Sequence, residues 1–493
     1  MKAYLMFRDR DFDRKAAPCY GKETLGADLE LKRILGCMAR GDETVAAACS
    51  SALFCPLQST EEILYRQAIL RDALQNPEAV RELYNILQET FERKKDSFRW
   101  LSPGYFLSGT FSSAVDLLKL YTAMLMKLRT VADRYLGGFR SEGFVNLLTM
   151  LQRELSDDYF EEVRTHLNEL SENDGMLISA ELGNYNQGVC YVLRRKNRSH
   201  FRRRWAFAPS YTVAPRDDAG ATDLGKRRDR AINEAANALA QAAEHIEGFF
   251  AMLQNELAFY VGCLNLGDSL RALGMPVCIP EFLPKEQLSR SWKNLYDISL
   301  ALTKNDAVIG NDLAAEGKKL YLITGANQGG KSTFLRSIGQ AQLMAQCGMF
   351  VGAEAFSAPV RAGVFTHFKK EEDAAMKSGK LDEELGRMDA LADHLQSGSL
   401  LLFNESFAAT NEREGSEINR QITQALIDHN VEVFSVTHLY PYASGFSKDP
   451  DAQFLRAERL ASGKRTFRVV PGEPLRTAFG EDLYRKIFSG GGA

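Results

Sequence analysis

The residues whose types and spacing could do chemistry begin at Leu320. There the apolar run Leu320-Tyr321-Leu322-Ile323 leads into Thr324-Gly325-Ala326-Asn327-Gln328-Gly329-Gly330-Lys331-Ser332-Thr333, and a helix-like stretch follows from Phe334 to Cys347. Gly-x-x-x-x-Gly-Lys-Ser between a strand and a helix is the pattern of a phosphate-cradling loop. Its glycines let backbone N–H groups curl around phosphate oxygens, and the helix N-terminus adds a favourable field. Lys331 is expected to reach the β and γ phosphates, and the Ser332 hydroxyl to ligate Mg2+.

Such a loop needs a neighbouring strand that brings a carboxylate to the metal and to an attacking water. Ser399-Leu400-Leu401-Leu402-Phe403-Asn404-Glu405 is the apolar run that ends suitably, which makes Glu405 the candidate general base. Asn404 stands where an aspartate is usual. A neutral amide still accepts a hydrogen bond from metal-bound water but adds no negative charge, so weaker metal binding and slower turnover are expected. A third run, Val431 to Val436, delivers Thr437-His438 to a strand's C-terminal end, where ligands sit in open α/β sheets. His438 is read as a γ-phosphate sensor, against a purely structural histidine.

The elements around these residues are mostly helical. Ser59 to Leu74, Pro77 to Lys94 and Ser113 to Leu136 carry apolar residues every three or four positions. Val115, Leu118, Met124, Leu125, Leu128 and Tyr135 would line one face of the third, and Gly137-Gly138 would end it. Beyond Pro215, Ile232, Leu239, Ile246, Leu253 and Tyr260 recur every seven residues, with Ala236, Ala243, Phe250, Leu257 and Leu264 four positions later. These heptads predict a helix of about 48 Å, at about 1.5 Å per residue, packed along its length on helical partners. Gly248 and Gly262 are places where it could weaken or bend. Leu177 to Leu193 reads instead as a β-hairpin or short strands.

With 493 residues, 45% hydrophobic and 25% charged, the composition is that of a globular chain of several domains and excludes disordered and collagen-like classes. No apolar run approaches the roughly 18 residues that span a bilayer, and the N-terminus is charged, so a cytoplasmic protein without membrane contact is expected. The eight cysteines form no Cys-x-x-Cys pair and are read as reduced, buried thiols. The net charge of −3 hides a basic segment: residues 191–230 hold twelve Lys/Arg against four Asp/Glu. Within it Arg194, Arg195, Lys196, Arg198, Arg202, Arg203 and Arg204, interleaved with Phe201 and Trp205, are either a solvated surface or contacts to a nucleic-acid backbone.

Taken together, these motifs resemble the MutS family of DNA mismatch-repair ATPases, whose loops share the Gly-Gly-Lys-Ser-Thr ending. The resemblance runs over about residues 300 to 485, and more faintly over Ile63–Leu74 and Leu257–Pro280. It implies that Gly325 to Thr333 binds ATP, that Asn311-Asp312 lies near the nucleotide, and that Glu405 is the catalytic glutamate. It also implies that Thr410-Asn411 belongs to the loop after that strand, that His438 is the switch histidine, and that Arg476 to Gly480 forms a family turn. Lys377-Ser378-Gly379-Lys380 resembles the segment opening the signature helix, with Ser378 meeting the γ-phosphate of a partner subunit's ATP. The chain offers no room before Arg66 for mismatch-reading and connector domains and none after about residue 488 for a nuclease, so a short member is expected. Phe160-Glu161-Glu162 matches the family's Phe-x-Glu wedge only by chance, because it falls in a mid-chain helix.

The expectation is thus a multidomain chain: a mainly α-helical lever and core region followed by an α/β P-loop, ABC-type ATPase domain. Residues 1–110 would be an N-terminal helical region, 111–290 a helical core and lever with a basic β-containing insertion near 177–230, and 291–493 the ATPase. ATP and Mg2+ are the expected ligands, DNA and a second copy of the chain the expected partners. The function expected is ATP binding and hydrolysis coupled to DNA binding, in mismatch repair or recombination. The alternative is a nucleotide-gated protein scaffold with little turnover. A transporter ATPase or a small-molecule kinase fits less well, since neither a transporter signature nor an acceptor pocket is visible.

Overall fold

The computed structural model describes residues 1–98, 107–171, 175–195, 209, 212–284, 287–370, 379–460 and 463–475. They divide into two compact units, Met1–Leu5 with Asn76–Leu257, and Met6–Gln75 with Ala258 onward.

The first unit is built on amphipathic helices. Leu107–Tyr135 buries Val115, Leu118, Met124, Leu125 and Leu128 along one stripe, as its spacing predicts, and leaves Tyr135 half-buried. A turn of 3-10 helix at Leu136–Gly138 ends it. Ser156 caps the Asp157–Leu170 helix by accepting from Tyr159 N at 3.2 Å, and Phe160 is buried within that helix. Strands β1 (Leu177–Leu182) and β2 (Gly188–Arg194) form the expected antiparallel hairpin.

The heptad series belongs to one unbroken helix, Asp218–Ala272. Within it Ile232, Ala236, Ala243, Phe250 and Leu253 are buried, whereas Leu239 and Ile246 are half-buried. In the first unit Tyr121 Oη donates to Glu247 on this helix at 3.0 Å, and Lys94 pairs with the same carboxylate at 2.5 Å. Gly262 is a site of close packing rather than a break. In the second unit a Cβ there would lie 2.3 Å from Cys49 Sγ and 3.2 Å from Val45 on the Glu43–Phe54 helix.

The second unit carries two sheets. One has strand order β3-β7-β4-β5, with β3 (Glu281–Leu283), β4 (Ser289–Leu295), β5 (Asn311–Glu316) and β7 (Ala355–Pro359). The other has order β12-β11-β6-β10-β9-β8, with β6 (Leu320–Gly325), β8 (Val364–Phe368), β9 (Leu400–Asn404), β10 (Glu432–Val436), β11 (Ala452–Arg459) and β12 (Arg465–Pro471). All its pairings are parallel except β11 with the edge strand β12. Parallel strands covered on both faces read as continuous apolar runs, which is why Leu400–Phe403 and Leu320–Ile323 contain no polar alternation.

Leu320, Leu322, Leu401, Phe403 and Val433 supply a core closed by the Lys380–Ala392 and Glu412–Asp428 helices. The two sheets are joined by a buried ion triad. Arg290 on β4 holds both oxygens of Glu432 on β10 at 2.5 Å, and Arg361 reaches the same carboxylate at 2.6 Å. All eight cysteines are free thiols; Cys49, Cys263 and Cys347 are buried as expected, but Cys190, on the hairpin, is exposed because β2 has one open face. Among the described residues no helix is long and apolar enough to cross a membrane.

Candidate functional site

The Gly325–Thr333 loop leaves the C-terminal end of β6 at the centre of the parallel sheet and enters the Lys331–Gln346 helix. Two of its glycines are sterically required. A Cβ on Gly329 would lie 2.8 Å from Ala326 O and 2.7 Å from Ala457 Cβ on β11. Gly330, the residue before the helix, has φ +92°, a left-handed conformation that side chains disfavour. Asn327 and Gln328 at the tip are exposed, and Ala326 is buried against the strand ends.

Lys331 is 6% exposed, and its ammonium donates to the carbonyls of Gly325 and Ala326 at 2.9 and 3.0 Å. Burial lowers its pKa from the ordinary lysine value, Glu405 opposes that shift, and Arg465 adds to it. Ser332 Oγ donates to Asn404 Oδ1 at 2.9 Å, so the two residues singled out as metal ligands are neighbours. Both present neutral oxygens, a hard-donor pair that suits Mg2+, a cation that keeps most of its waters and takes few protein ligands. Among the described residues there is no cluster of three or more His, Cys, Asp or Glu side chains able to hold a metal by themselves.

Glu405 follows β9 and His438 follows β10, and the adjacency of these strands brings His438 Nδ1 to 3.8 Å from Glu405 Oε1. That is an ion-pair distance, too long for a good hydrogen bond. The imidazole holds the Glu405 carboxyl below the ordinary glutamate range, helped by Lys331 and Lys369 and opposed by partial burial. Glu405 is therefore ionised at neutral pH, with its side chain 31% exposed.

The other predicted residues fall elsewhere. Asn311 Oδ1 accepts the Val469 N–H on β12 at 2.7 Å, and β12 in turn lays the Phe467 carbonyl against Gly330; Asn311 thus acts on the loop through a strand. Asn411 caps the Glu412–Asp428 helix, and Thr410 Oγ1 donates to Glu414 at 2.7 Å. In the first unit Arg194 Nε donates to Ser179 Oγ at 2.8 Å, and Arg195 is paired with Glu169 at 2.8 Å. Lys196, Arg198, Arg202, Arg203, Arg204, Ser378 and Arg476 to Gly480 lie outside the described residues.

Several polar residues at the site carried no sequence signal. Arg465 on β12 donates to Gln328 Oε1 at 3.3 Å, adding a second cation beside the loop. Ser406, His367 and Asn419 form a buried network behind Glu405. None sits in a motif, and three separate segments supply the network.

A phosphate-loop-like turn at the C-terminal edge of a parallel sheet in one unit, and amphipathic helices in the other, define a multidomain chain of helical and α/β parts. The MutS2 N-terminal domain model matches residues 58–273, and the MutS domain V model matches residues 321–463. The chain is 28% identical over 206 residues to MutS protein homolog 4 of Mus musculus, covering 41% of this chain and 20% of that protein. It is 28% identical over 222 residues to endonuclease MutS2 of Thermus thermophilus, covering 44% and 28%. It is 32% identical over 168 residues to DNA mismatch repair protein MutS of Thermotoga neapolitana, covering 33% and 21%. The chain belongs to the MutS family. It spans between a fifth and just over a quarter of the length of these relatives.

Proposed function

We propose that the chain is a DNA-associated ATPase in which residues 291–493 bind and hydrolyse ATP and the helical first unit contacts DNA. One observation carries this reading: Lys331, the Ser332–Asn404 pair and the Glu405–His438 pair converge at the C-terminal ends of β6, β9 and β10. In that arrangement the backbone of Gly325 to Gly330 and the Lys331 ammonium hold phosphates. Ser332, with Asn404 behind it, would hold Mg2+, which when bound neutralises charge on the phosphate oxygens. Glu405, kept ionised, orients and deprotonates the attacking water, and His438 stands where it can sense the γ-phosphate. Transfer to water then depends mainly on positioning and charge stabilisation. Ser378 from a second copy would complete the site, making the working form a homodimer. Relatives named for mismatch repair, and one named as an endonuclease, support DNA as the partner. Arg194 to Arg204 would touch phosphate backbone without reading sequence.

A second reading, a nucleotide-gated scaffold that recruits proteins, is favoured specifically by the neutral Asn404. ATP hydrolysis by the purified chain separates the two, measured with and without duplex, branched and single-stranded DNA beside Lys331→Ala and Glu405→Ala. A DNA-sensitive rate that both variants abolish supports the ATPase. A negligible rate indifferent to DNA leaves the scaffold.

A further inference from the structure

The backbone that carries Glu405 is strained on both sides of one serine. Glu405 has φ +54° and Phe407 φ +55°, and a left-handed conformation costs a residue with a side chain roughly 1–2 kcal/mol. Such a conformation persists only where the surroundings over-determine it. The surroundings here are specific. Ser406 is buried; its Oγ lies 2.6 Å from the His367 carbonyl and 2.8 Å from His367 Nδ1, and its own carbonyl accepts from Asn419 Nδ2 at 2.8 Å. Asn419 Nδ2 also donates to Gly415 O at 3.0 Å. Phe407 stacks on the His367 ring, with centroids 5.0 Å apart.

The proton count assigns the tautomer. His367 Nε2 faces the Glu384 carbonyl at 3.0 Å, and a carbonyl only accepts, so Nε2 carries a proton. Burial pushes the His367 pKa down to about 4, which leaves Nδ1 unprotonated at neutral pH and able to accept from Ser406. Two acceptors of His367, Nδ1 and the carbonyl oxygen, thus share the single Ser406 hydroxyl proton. Glu384 lies in the Lys380–Ala392 helix, which begins directly after the Ser378-Gly379 segment.

We infer that Ser406, clamped between His367 and Asn419, is a positioning residue for Glu405, and that His367 ties this clamp to the Lys380–Ala392 helix. The inference rests on the proposed ATPase reading. Removing the hydroxyl frees the strained turn to relax, which moves the Glu405 carboxylate while leaving the phosphate loop and Lys331 in place. A displacement of about 1 Å at such a group costs on the order of a hundredfold in rate.

The test measures kcat and KM for Mg2+-ATP hydrolysis, and the Kd of a fluorescent ATP analogue. The proteins are the full chain, Ser406→Ala, Ser406→Thr, His367→Phe, the Ser406→Ala/His367→Phe double variant, and Glu405→Gln. We expect Ser406→Ala and His367→Phe each to lower kcat roughly ten- to a hundredfold with Kd and KM within about twofold, and the double variant to be no worse than either single. Ser406→Thr, which keeps the hydroxyl, should recover most of the rate. If Ser406→Ala does not fold, Ser406→Cys, of similar volume, takes its place. Wild-type kcat in the Ser406 and His367 variants, or a fall in kcat that tracks lost nucleotide binding, overturns the inference alone. A full chain whose turnover does not depend on Glu405 removes the proposed function, and this inference with it.

Discussion

Strand β10 ends in two different electrostatic settings, and the contrast separates a buried, fully paired carboxylate from an accessible one. At its start Glu432 is 1% exposed and gripped by Arg290 and Arg361, with the Arg290 fork matched to both oxygens. At its finish Thr437-His438 emerges beside Glu405, which follows the neighbouring strand; there the carboxylate is 31% exposed and His438 Nδ1 is 3.8 Å away. Glu432, buried and held by two guanidinium groups, offers a substrate no access. Glu405 is open to solvent and carries a charge favoured by His438 and Lys331. Two glutamates in one sheet therefore differ in what they can do because of their partners and their contact with water.

The contrast breaks first at the buried end. Glu432→Ala leaves two guanidinium groups without a counter-charge, and removing one member of a buried ion pair costs about 3–5 kcal/mol. Denaturant unfolding should show a loss of that size, while Glu432→Gln, which keeps an acceptor, should lose less. A loss under about 1 kcal/mol for the alanine variant would mean that the triad is not the clasp between the two sheets.

At the open end the expected effect is on rate. Glu405→Gln should reduce ATP turnover about 10²–10⁴-fold, the usual contribution of a general base, with an unfolding midpoint close to that of the parent chain. A large loss of stability with unchanged turnover would exchange the roles assigned to the two glutamates. Asn404→Asp is a gentler probe of the same end. It places a charge beside the Ser332 hydroxyl and should raise apparent Mg2+ affinity about tenfold, since one opposite charge at close range in a partly screened site is worth at least 1.4 kcal/mol. The melting temperature of this variant should rise with Mg2+ more than that of the parent, and equal responses would argue against a metal at the Ser332–Asn404 pair.

Much of this end of the molecule was legible in the sequence, for a physical reason. Parallel strands buried on both faces are largely apolar, so Leu320–Ile323 and Leu400–Phe403 stand out, while Val431–Val436 is interrupted by Glu432 and Ser435; the polar residues that end all three mark the sheet edge. Heptads made the long helix equally visible. They reported that a face is buried but not what covers it, so the seating of Gly262 on Cys49 and Val45 could not be anticipated. The Ser406–His367–Asn419 network was hidden for a related reason. Its hydrogen bonds join residues 13 and 39 positions apart, and no periodicity records a long-range polar contact. The same holds for Arg290, Arg361 and Glu432, three unremarkable charges in the text whose burial only the packed sheets impose.

The smallest effect expected is the response to pH across the neutral range, and it sharpens the comparison by its flatness. Glu405 has its pKa lowered from the ordinary glutamate value of 4.5 by the neighbouring imidazole, so it is a carboxylate throughout that range and gains a proton only well into acid. In linkage terms the unfolded chain binds more protons than the folded one between the depressed and the ordinary pKa. Its stabilising contribution is therefore complete above the unfolded value and disappears as pH falls through the folded one. Lys331, lowered from 10.5 chiefly by burial, sets the other limit: it loses its proton at a lower pH than a free lysine, and the proposed phosphate grip would weaken there. The profile of kcat/KM, which reports the free enzyme, should thus be level from about pH 6 to 8, with an acid limb below 4.5 and an alkaline limb that begins before 10.5. An acid limb that vanishes in His438→Gln but persists in Glu405→Gln would instead assign the proton transfer to the histidine and leave Glu405 as its orienting partner.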